Sequence, residues 1–111
     1  MKDELYISNI LSSIKLIEEY MKSRKISNLA RSNILKDAVS KQLEEIGENI
    51  RKVSSKIKKK YNEVEWQAFV ETRNFLTHVY QFVNVQKLWM IVKKDIPILK
   101  KQVEKILEKE K

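Results

Sequence analysis

Apolar side chains recur at intervals of three and four residues along four segments of the chain, a spacing that places them on one face of a helix. The four segments cover about residues 3–24, 28–58, 62–76 and 84–107. In the first, the apolar face consists of Ile7, Ile10, Leu11, Ile14, Ile17 and Met21. Four amphipathic helices joined by short connections predict an all-α fold, an up-and-down bundle of four main helices.

Three residues carry further information about these helices. Asn84 is the expected N-cap of the fourth helix. Gly47 lies inside the second helical pattern, where it indicates either a close approach of another helix or a tolerated loss of helix propensity. Pro97 lies inside the fourth pattern, and its missing N–H predicts a kink or a short break around Lys94–Ile96.

Length and composition exclude most other classes of protein. The 111 residues suit one helical domain, residues 1–111, and a single Gly and a single Pro cannot supply the turns of a sandwich or barrel. The absence of Cys excludes disulfides, thiol catalysis and thiolate zinc sites, and one His cannot form an imidazole cluster. Because the chain has neither a long apolar run nor the apolar segment of a signal peptide, we expect a cytoplasmic domain without membrane association. Nothing in the sequence calls for a metal or another cofactor, so none is expected.

The net charge of +8 is concentrated in residues 51–60, whose sequence is RKVSSKIKKK. This run contains six cations and no acid: Arg51, Lys52, Lys56, Lys58, Lys59 and Lys60. Such a run can bind phosphate groups of RNA through Coulomb attraction and counterion release. It can equally be a solvated helix end that interacts favourably with the helix dipole.

The segment ETRNFLTHVY, residues 71–80, contains the only His of the chain. At about 100° per residue, Arg73 and Tyr80 share a helix face, whereas Arg73 and His78 lie about 140° apart. Arg73 and His78 therefore cannot converge on one small group from a regular helix. Either the helix breaks near Leu76–His78, or the residues meet from different subunits. A single His near a helix end can also be a capping or surface residue.

Arg73 to Tyr80 reads as Arg-x4-His-x-Tyr, with Asn74 directly after the Arg, and this motif resembles that of HepT-like toxins of the HEPN superfamily. Two further segments are similar to the same family. They are ILKDAVSKQLEEIGENI (34–50) and KLWMIVKKDIPILKKQV (87–103). The resemblance covers about residues 28–107, with Asn49 a departure from the small residue that usually follows Gly-Glu.

The resemblance implies a HEPN-like bundle and a metal-independent endoribonuclease, the toxin of a type VII toxin–antitoxin system. His78 would act as acid or base and Arg73 would bind phosphate, with Asn74 in a supporting role. Because acid–base cleavage works best with two proton-transfer groups, a single His predicts a homodimer that shares its active site. Glu48 is a further candidate for orienting Arg73 or His78, although a solvated helix Glu is an equal alternative.

Tyr80 has a separate implied role, as the residue to which a cognate nucleotidyltransferase antitoxin transfers AMP. Without the resemblance, Tyr80 would be a residue packed on the helix face beside Arg73. The alternative function is a non-catalytic helical partner that binds substrate for, or regulates, a nucleotidyltransferase.

Overall fold

The computed structural model of the chain describes residues 2–76 and 82–111, which form helices joined by short turns and contain no strand. The elements are α1 (Lys2–Met21), α2 (Ile26–Arg31), α3 (Asn33–Lys52), α4 (Ser55–Lys60), α5 (Trp66–Glu71), α6 (Arg73–Leu76), α7 (Phe82–Met90), a π-helical turn (Ile91–Asp95) and α8 (Ile96–Lys109). The predicted all-α helical bundle is therefore confirmed.

Two long helices, α1 and α3, form the centre of the bundle and run antiparallel. Asp3 near the start of α1 accepts hydrogen bonds from Ser54, just beyond the end of α3. Further along both helices, Asn9 donates to the Asn49 side chain over 3.1 Å. Helix α8 also packs along α1, so the three longest helices enclose most of the core.

The core consists of the apolar faces that the sequence pattern predicts. On the three long helices the fully buried side chains are Ile7, Ile10, Ile14, Ile17, Val39, Leu43, Ile46, Ile50, Ile96, Leu99 and Val103. Each fully buried Ile or Leu side chain contributes about 1.5–3 kcal/mol to the free energy of unfolding. Leu11, predicted for the same face of α1, is only partly buried and packs at the edge of the core.

The prediction of one helix over about 28–58 is wrong, because two serines divide this region into α2, α3 and α4. The Ser32 hydroxyl accepts from the Leu35 N–H at the start of α3. The Ser54 hydroxyl accepts from the Ile57 N–H at the start of α4. A serine that caps a following helix satisfies an N–H group that would otherwise lack a partner, so each break is stabilised locally.

The predicted starts of the last two helices also differ from the observed ones. Helix α5 begins at Trp66 rather than near Asn62, after a turn in which the Trp66 indole N–H donates to the Tyr61 carbonyl over 3.1 Å. Helix α7 begins at Phe82, so Asn84 lies inside the helix instead of capping it.

The disruption predicted near Pro97 is confirmed. Pro97 lies in the first turn of α8, directly after the π-helical turn, and the Ile96 N–H donates to the Ile91 carbonyl five residues back. Because Pro97 has no N–H to continue the regular ladder, the backbone widens to π-helical geometry immediately before it.

Within residues 2–76 and 82–111, none of the helices combines the length and the apolar character needed to cross a lipid bilayer.

Candidate functional site

Arg73, the first residue of the Arg-x4-His-x-Tyr motif, begins α6 and faces Glu48 on α3. Arg73 Nη1 lies 3.5 Å from Glu48 Oε1, and the Arg51 Nε lies 3.8 Å from the same oxygen. All three side chains are about half to two-thirds exposed. Since exposed ion pairs contribute at most about 1 kcal/mol to stability, this arrangement matters mainly because it brings two guanidinium groups to one carboxylate oxygen.

Gly47 allows this meeting of α3 with the motif segment. A Cβ atom at this position would lie 3.2 Å from the Phe69 carbonyl oxygen and 3.7 Å from the Val70 Cα. Helix α5 therefore packs against the backbone of α3 itself. Of the two interpretations of Gly47, close helix approach is the one that the structure bears out.

Thr72 forms the joint between α5 and α6. Its hydroxyl donates to the Phe69 carbonyl over 2.7 Å, and its own carbonyl accepts from the N–H groups of Phe75 and Leu76. The Phe69 carbonyl thus lies against Gly47 on one side and satisfies Thr72 on the other. This joint starts a new helix at Arg73, close to Glu48.

Of the other three predicted motif residues, the structure describes Asn74 but not His78 or Tyr80. Asn74 lies on α6 and is exposed. His78 and Tyr80 lie outside the described residues, and the predicted helix break near Leu76–His78 falls partly outside them.

A groove of about 610 Å³ lies beside the motif segment, between α5, α7 and α8. Its lining includes four acids and one Lys: Glu63, Glu65, Glu71, Asp95 and Lys87. The acids repel phosphate groups, so this groove does not suit an RNA strand. They are also spread apart, and the described residues include no group of three or more His, Cys, Asp or Glu side chains able to hold a metal ion.

The six cations of the 51–60 run belong to two helices and have different surroundings. Arg51 and Lys52 end α3, and the other four lie on α4, beyond the turn at Ser54. The Lys52 ammonium lies 5.8 Å from the centre of the Tyr6 ring, a cation–π distance. Within this run, Arg51 shares the Glu48 carboxylate with the motif Arg.

Lys60, at the far end of the run, is engaged in a separate cluster with the C-terminal region. Its ammonium lies 2.7 Å from a Glu110 carboxylate oxygen, which also accepts from the Tyr61 hydroxyl. Hydrogen bonds from Lys60 and then Tyr61 hold the pKa of Glu110 below its ordinary value. The same carboxylate raises the pKa values of Lys60 and Tyr61. Within the run, Lys60 is therefore paired with the C-terminal region of the chain.

The convergence of Arg51 and Arg73 on one carboxylate is the feature that sequence reasoning missed. The sequence predicts Arg51 only as one member of a basic run, and Glu48 only as a candidate for orienting Arg73 or His78. The signal in the sequence was the three-residue spacing of Glu48 and Arg51, which places both on one helix face.

Comparison with known proteins identifies the family of the chain. The model of the family described as "Ribonuclease HepT-like" matches residues 10–106. No solved structure matches the chain significantly.

Several curated proteins are similar to the chain over most of its length. A Methanocaldococcus jannaschii protein, whose name joins a γ-glutamylcyclotransferase to a provisional RNase, is 41% identical over 95% of the chain, which spans only 47% of that relative. A provisionally named RNase of Caldanaerobacter subterraneus is 32% identical over 96% of the chain and 95% of its own length. The "Probable ribonuclease HepT" of Thermococcus cleftensis is 34% identical over 91% of the chain and 92% of its own length.

Proposed function

Because the chain belongs to the HepT-like ribonuclease family, we propose that it is a toxin-type endoribonuclease that cleaves RNA without a metal ion. One observation carries this proposal most directly. The exposed guanidinium of Arg73 stands beside that of Arg51 over one carboxylate oxygen, at the start of the Arg-x4-His-x-Tyr motif. Two adjacent guanidinium groups suit the oxygens of an RNA phosphate, which would displace Glu48 from them.

The cleavage proceeds by attack of the RNA strand on itself. The 2′-oxygen forms a bond to the adjacent phosphorus while the bond from phosphorus to the 5′-oxygen breaks, leaving a 2′,3′-cyclic phosphate and a 5′-hydroxyl. One His78 takes the proton of the 2′-hydroxyl, and a second imidazole gives a proton to the leaving 5′-oxygen. Arg73, with Arg51 beside it, stabilises the negative charge that develops on the phosphoryl oxygens.

The second imidazole comes from a second copy of the chain. Each chain has a single His, and a two-fold axis near the motif would place the two His78 residues on either side of one cleft. A homodimer that shares its active site is thus part of the proposal.

A nucleotidyltransferase antitoxin restrains the enzyme by transferring AMP to Tyr80. The phenol oxygen bonds to the α-phosphorus of ATP, and pyrophosphate leaves. The added adenylate carries negative charge and lies seven residues from Arg73, so it would compete with RNA for the guanidinium groups.

Cleavage of a defined RNA with EDTA present tests the proposal. The wild-type protein is expected to cleave, and His78→Ala and Arg73→Ala are expected to lose roughly 10²–10⁴-fold in rate. Arg73→Lys keeps the charge but lacks the planar fork, so an intermediate rate is expected. Lys101→Ala, an exposed change on α8, is the control for simple loss of a positive charge.

Two outcomes would contradict the enzymatic proposal: full activity of His78→Ala, or loss of wild-type activity on addition of EDTA. A wild-type protein that cleaves no RNA yet binds a nucleotidyltransferase would support the alternative function, a non-catalytic partner. Mass spectrometry of the chain after incubation with the nucleotidyltransferase and ATP tests the modification, with Tyr80→Phe as the control that cannot accept AMP.

A further inference from the structure

A second stretch of the chain, residues 20–36, contains cations and no acid. Its sequence, YMKSRKISNLARSNILK, has five basic residues between Glu19 and Asp37. Outside this stretch and the 51–60 run, acidic residues outnumber basic ones by 15 to 12. The positive charge of the chain therefore comes from two separate segments rather than one.

The stretch folds around a groove of about 510 Å³, between the end of α1, α2 and the start of α3. This volume is in the range of sites that hold small ligands. The residues that line the groove include two arginines, an aromatic ring and three polar or apolar side chains: Arg24, Arg31, Tyr20, Asn28, Ser32 and Ile34. We call it the Arg24–Arg31 groove.

The arginines of this groove differ from the other two of the chain. Arg51 and Arg73 share the Glu48 carboxylate, whereas neither Arg24 nor Arg31 forms an ion pair within residues 2–76 and 82–111. Both are exposed. Two uncompensated guanidinium groups in one concave surface attract an anion and can bind its oxygens in a bidentate manner.

The remaining lining residues suit a nucleotide rather than a simple anion. Tyr20 is half-buried, with its ring packed at the edge of the core and one side lining the groove. Such a fixed ring is a platform on which a base can stack. Ile34, at the rim, is 84% exposed, an unusual position for a large aliphatic side chain and one that adds apolar contact area.

We propose that the Arg24–Arg31 groove binds a single-stranded segment of RNA, with phosphate on the arginines and a base on Tyr20. This inference rests on the proposed function for its substrate class and adds a second subsite to it. Ser32 precedes Glu48 by sixteen residues of α3, so the groove lies about 24 Å along the helix from the Arg73 site. An RNA bound in the groove would therefore contact the protein at a distance from the phosphate that is cleaved. An acidic peptide is the alternative ligand, but it would use only the two arginines and not the Tyr20 ring.

Binding of a labelled 2′-O-methyl oligoribonucleotide tests the inference without cleavage, because the probe lacks the attacking hydroxyl. Fluorescence anisotropy with Arg24→Ala/Arg31→Ala is expected to show binding about tenfold weaker than the wild type. The slope of log affinity against log salt should fall by about 1.4, for two lost phosphate contacts on a single strand.

Lys22→Ala/Lys25→Ala is the matched control, since it removes the same charge from the same acid-free stretch at exposed positions that do not line the groove. It is expected to keep the wild-type slope. Equal losses in the two double variants, or no loss in either, would overturn the inference. Urea unfolding of both variants establishes that each is folded.

Tyr20 provides an independent arm of the test. Tyr20→Phe keeps the ring and should bind as the wild type does, whereas Tyr20→Leu should bind several-fold more weakly. If Tyr20→Leu does not fold, the arginine variants still decide the question.

Polyglutamate is the probe for an acidic protein partner. If Arg24→Ala/Arg31→Ala weakens polyglutamate binding as much as RNA binding, the groove is not specific for RNA and the inference fails. A wild-type protein that binds the oligoribonucleotide through the groove but cleaves no RNA would contradict the proposed enzymatic function while supporting the groove.

Discussion

Glu48 on α3 and Arg73 on α6 are distant in sequence, yet their charged groups lie 3.5 Å apart, with Arg51 on the same carboxylate oxygen. The pair is exposed and therefore adds little to the stability of the fold. In the function that we propose, its consequence is positional, because the Glu48 carboxylate lies between the two guanidinium groups that would bind a phosphate. It also competes with that phosphate, and these two effects of Glu48 can be separated by experiment.

Glu48→Gln is expected to bind RNA more tightly and to cleave it more slowly. Removing the carboxylate leaves both guanidinium groups free for phosphate, which lowers KM. The loss of the contact that orients Arg73 lowers kcat by roughly three- to tenfold. Steady-state cleavage kinetics over a range of RNA concentrations measures both effects.

Glu44→Gln is the control for this change. Glu44 lies one turn earlier on α3, is exposed, and forms no ion pair within the described residues. It removes the same negative charge, so any gain in affinity from net charge alone appears in both variants. A kcat of Glu48→Gln equal to that of Glu44→Gln would mean that Glu48 does not position Arg73.

Gly47→Val is expected to destabilise the protein, since a Cβ atom at this position already lies 3.2 Å from the Phe69 carbonyl oxygen. Gly47→Ala gains about 1 kcal/mol of helix propensity, which offsets the cost of this close contact. Its free energy of unfolding should therefore stay within about 1 kcal/mol of the wild-type value. The branched side chain of Val adds two methyl groups, and we expect a loss of roughly 2 kcal/mol or more relative to Ala. Urea unfolding measures both variants.

The intrinsic cost of Val in a helix is measured by the pair Glu44→Ala and Glu44→Val at the exposed position on α3. That difference should be about 0.5 kcal/mol. If Gly47→Val and Gly47→Ala differ by no more than this, the packing of α5 against α3 is not limited by the missing side chain.

The core and the helical class could be predicted from the sequence, because burial follows the three- and four-residue spacing of residues such as Ile10 and Ile14. The breaks at Ser32 and Ser54 could not. Serine is only mildly unfavourable inside a helix, so its position in the sequence does not reveal whether it lies within a helix or caps the start of a new helix. At Ser54 the decision depends on Asp3, which is distant in sequence and adjacent only in the fold.

For the candidate site, too, one part could be predicted from the sequence and another part could not. The sequence motif identifies Arg73 as a candidate, and a local spacing joins Glu48 to Arg51 on one helix face. The meeting of Arg73 with Glu48 requires the close packing of α5 on Gly47, which is a tertiary property. Likewise, Arg24 and Arg31 line one groove only because the chain turns between α1 and α3.

Asp3→Ala is expected to lower the free energy of unfolding by about 1–2 kcal/mol. The Asp3 carboxylate accepts from both the N–H of Ser54, at 2.8 Å, and its hydroxyl, at 2.6 Å, and so fixes the residue that caps α4. Glu4→Ala, at the exposed neighbouring position, should change the stability by less than about 0.5 kcal/mol. Equal stabilities of the two variants in urea would show that the contact of Asp3 with Ser54 does not anchor α4.

Glu110→Gln is expected to have a lower free energy of unfolding than the wild type at neutral pH. In acid the two proteins are expected to be equally stable. Hydrogen bonds from Lys60 and then Tyr61 lower the pKa of Glu110 from its ordinary value of 4.5. A carboxyl whose pKa is lowered by folding stabilises the protein above its ordinary pKa, and this contribution disappears as the pH falls through the folded value. Below that pH both variants carry a neutral group, so their unfolding free energies should converge.

Urea unfolding of both proteins over a series of pH values from neutral to strongly acid measures this convergence. Glu108→Gln, exposed on α8 and in no ion pair within residues 2–76 and 82–111, is the control for the loss of one charge near the end of α8, which Glu110 caps. At alkaline pH the dependence of stability on pH has the opposite sign, because the pKa of Lys60 is raised by folding. The stability that the pair contributes is therefore lost as the pH rises through the folded pKa of Lys60. A difference between wild type and Glu110→Gln that stays constant from neutral to acid pH would contradict the assignment of the lowered pKa to this cluster.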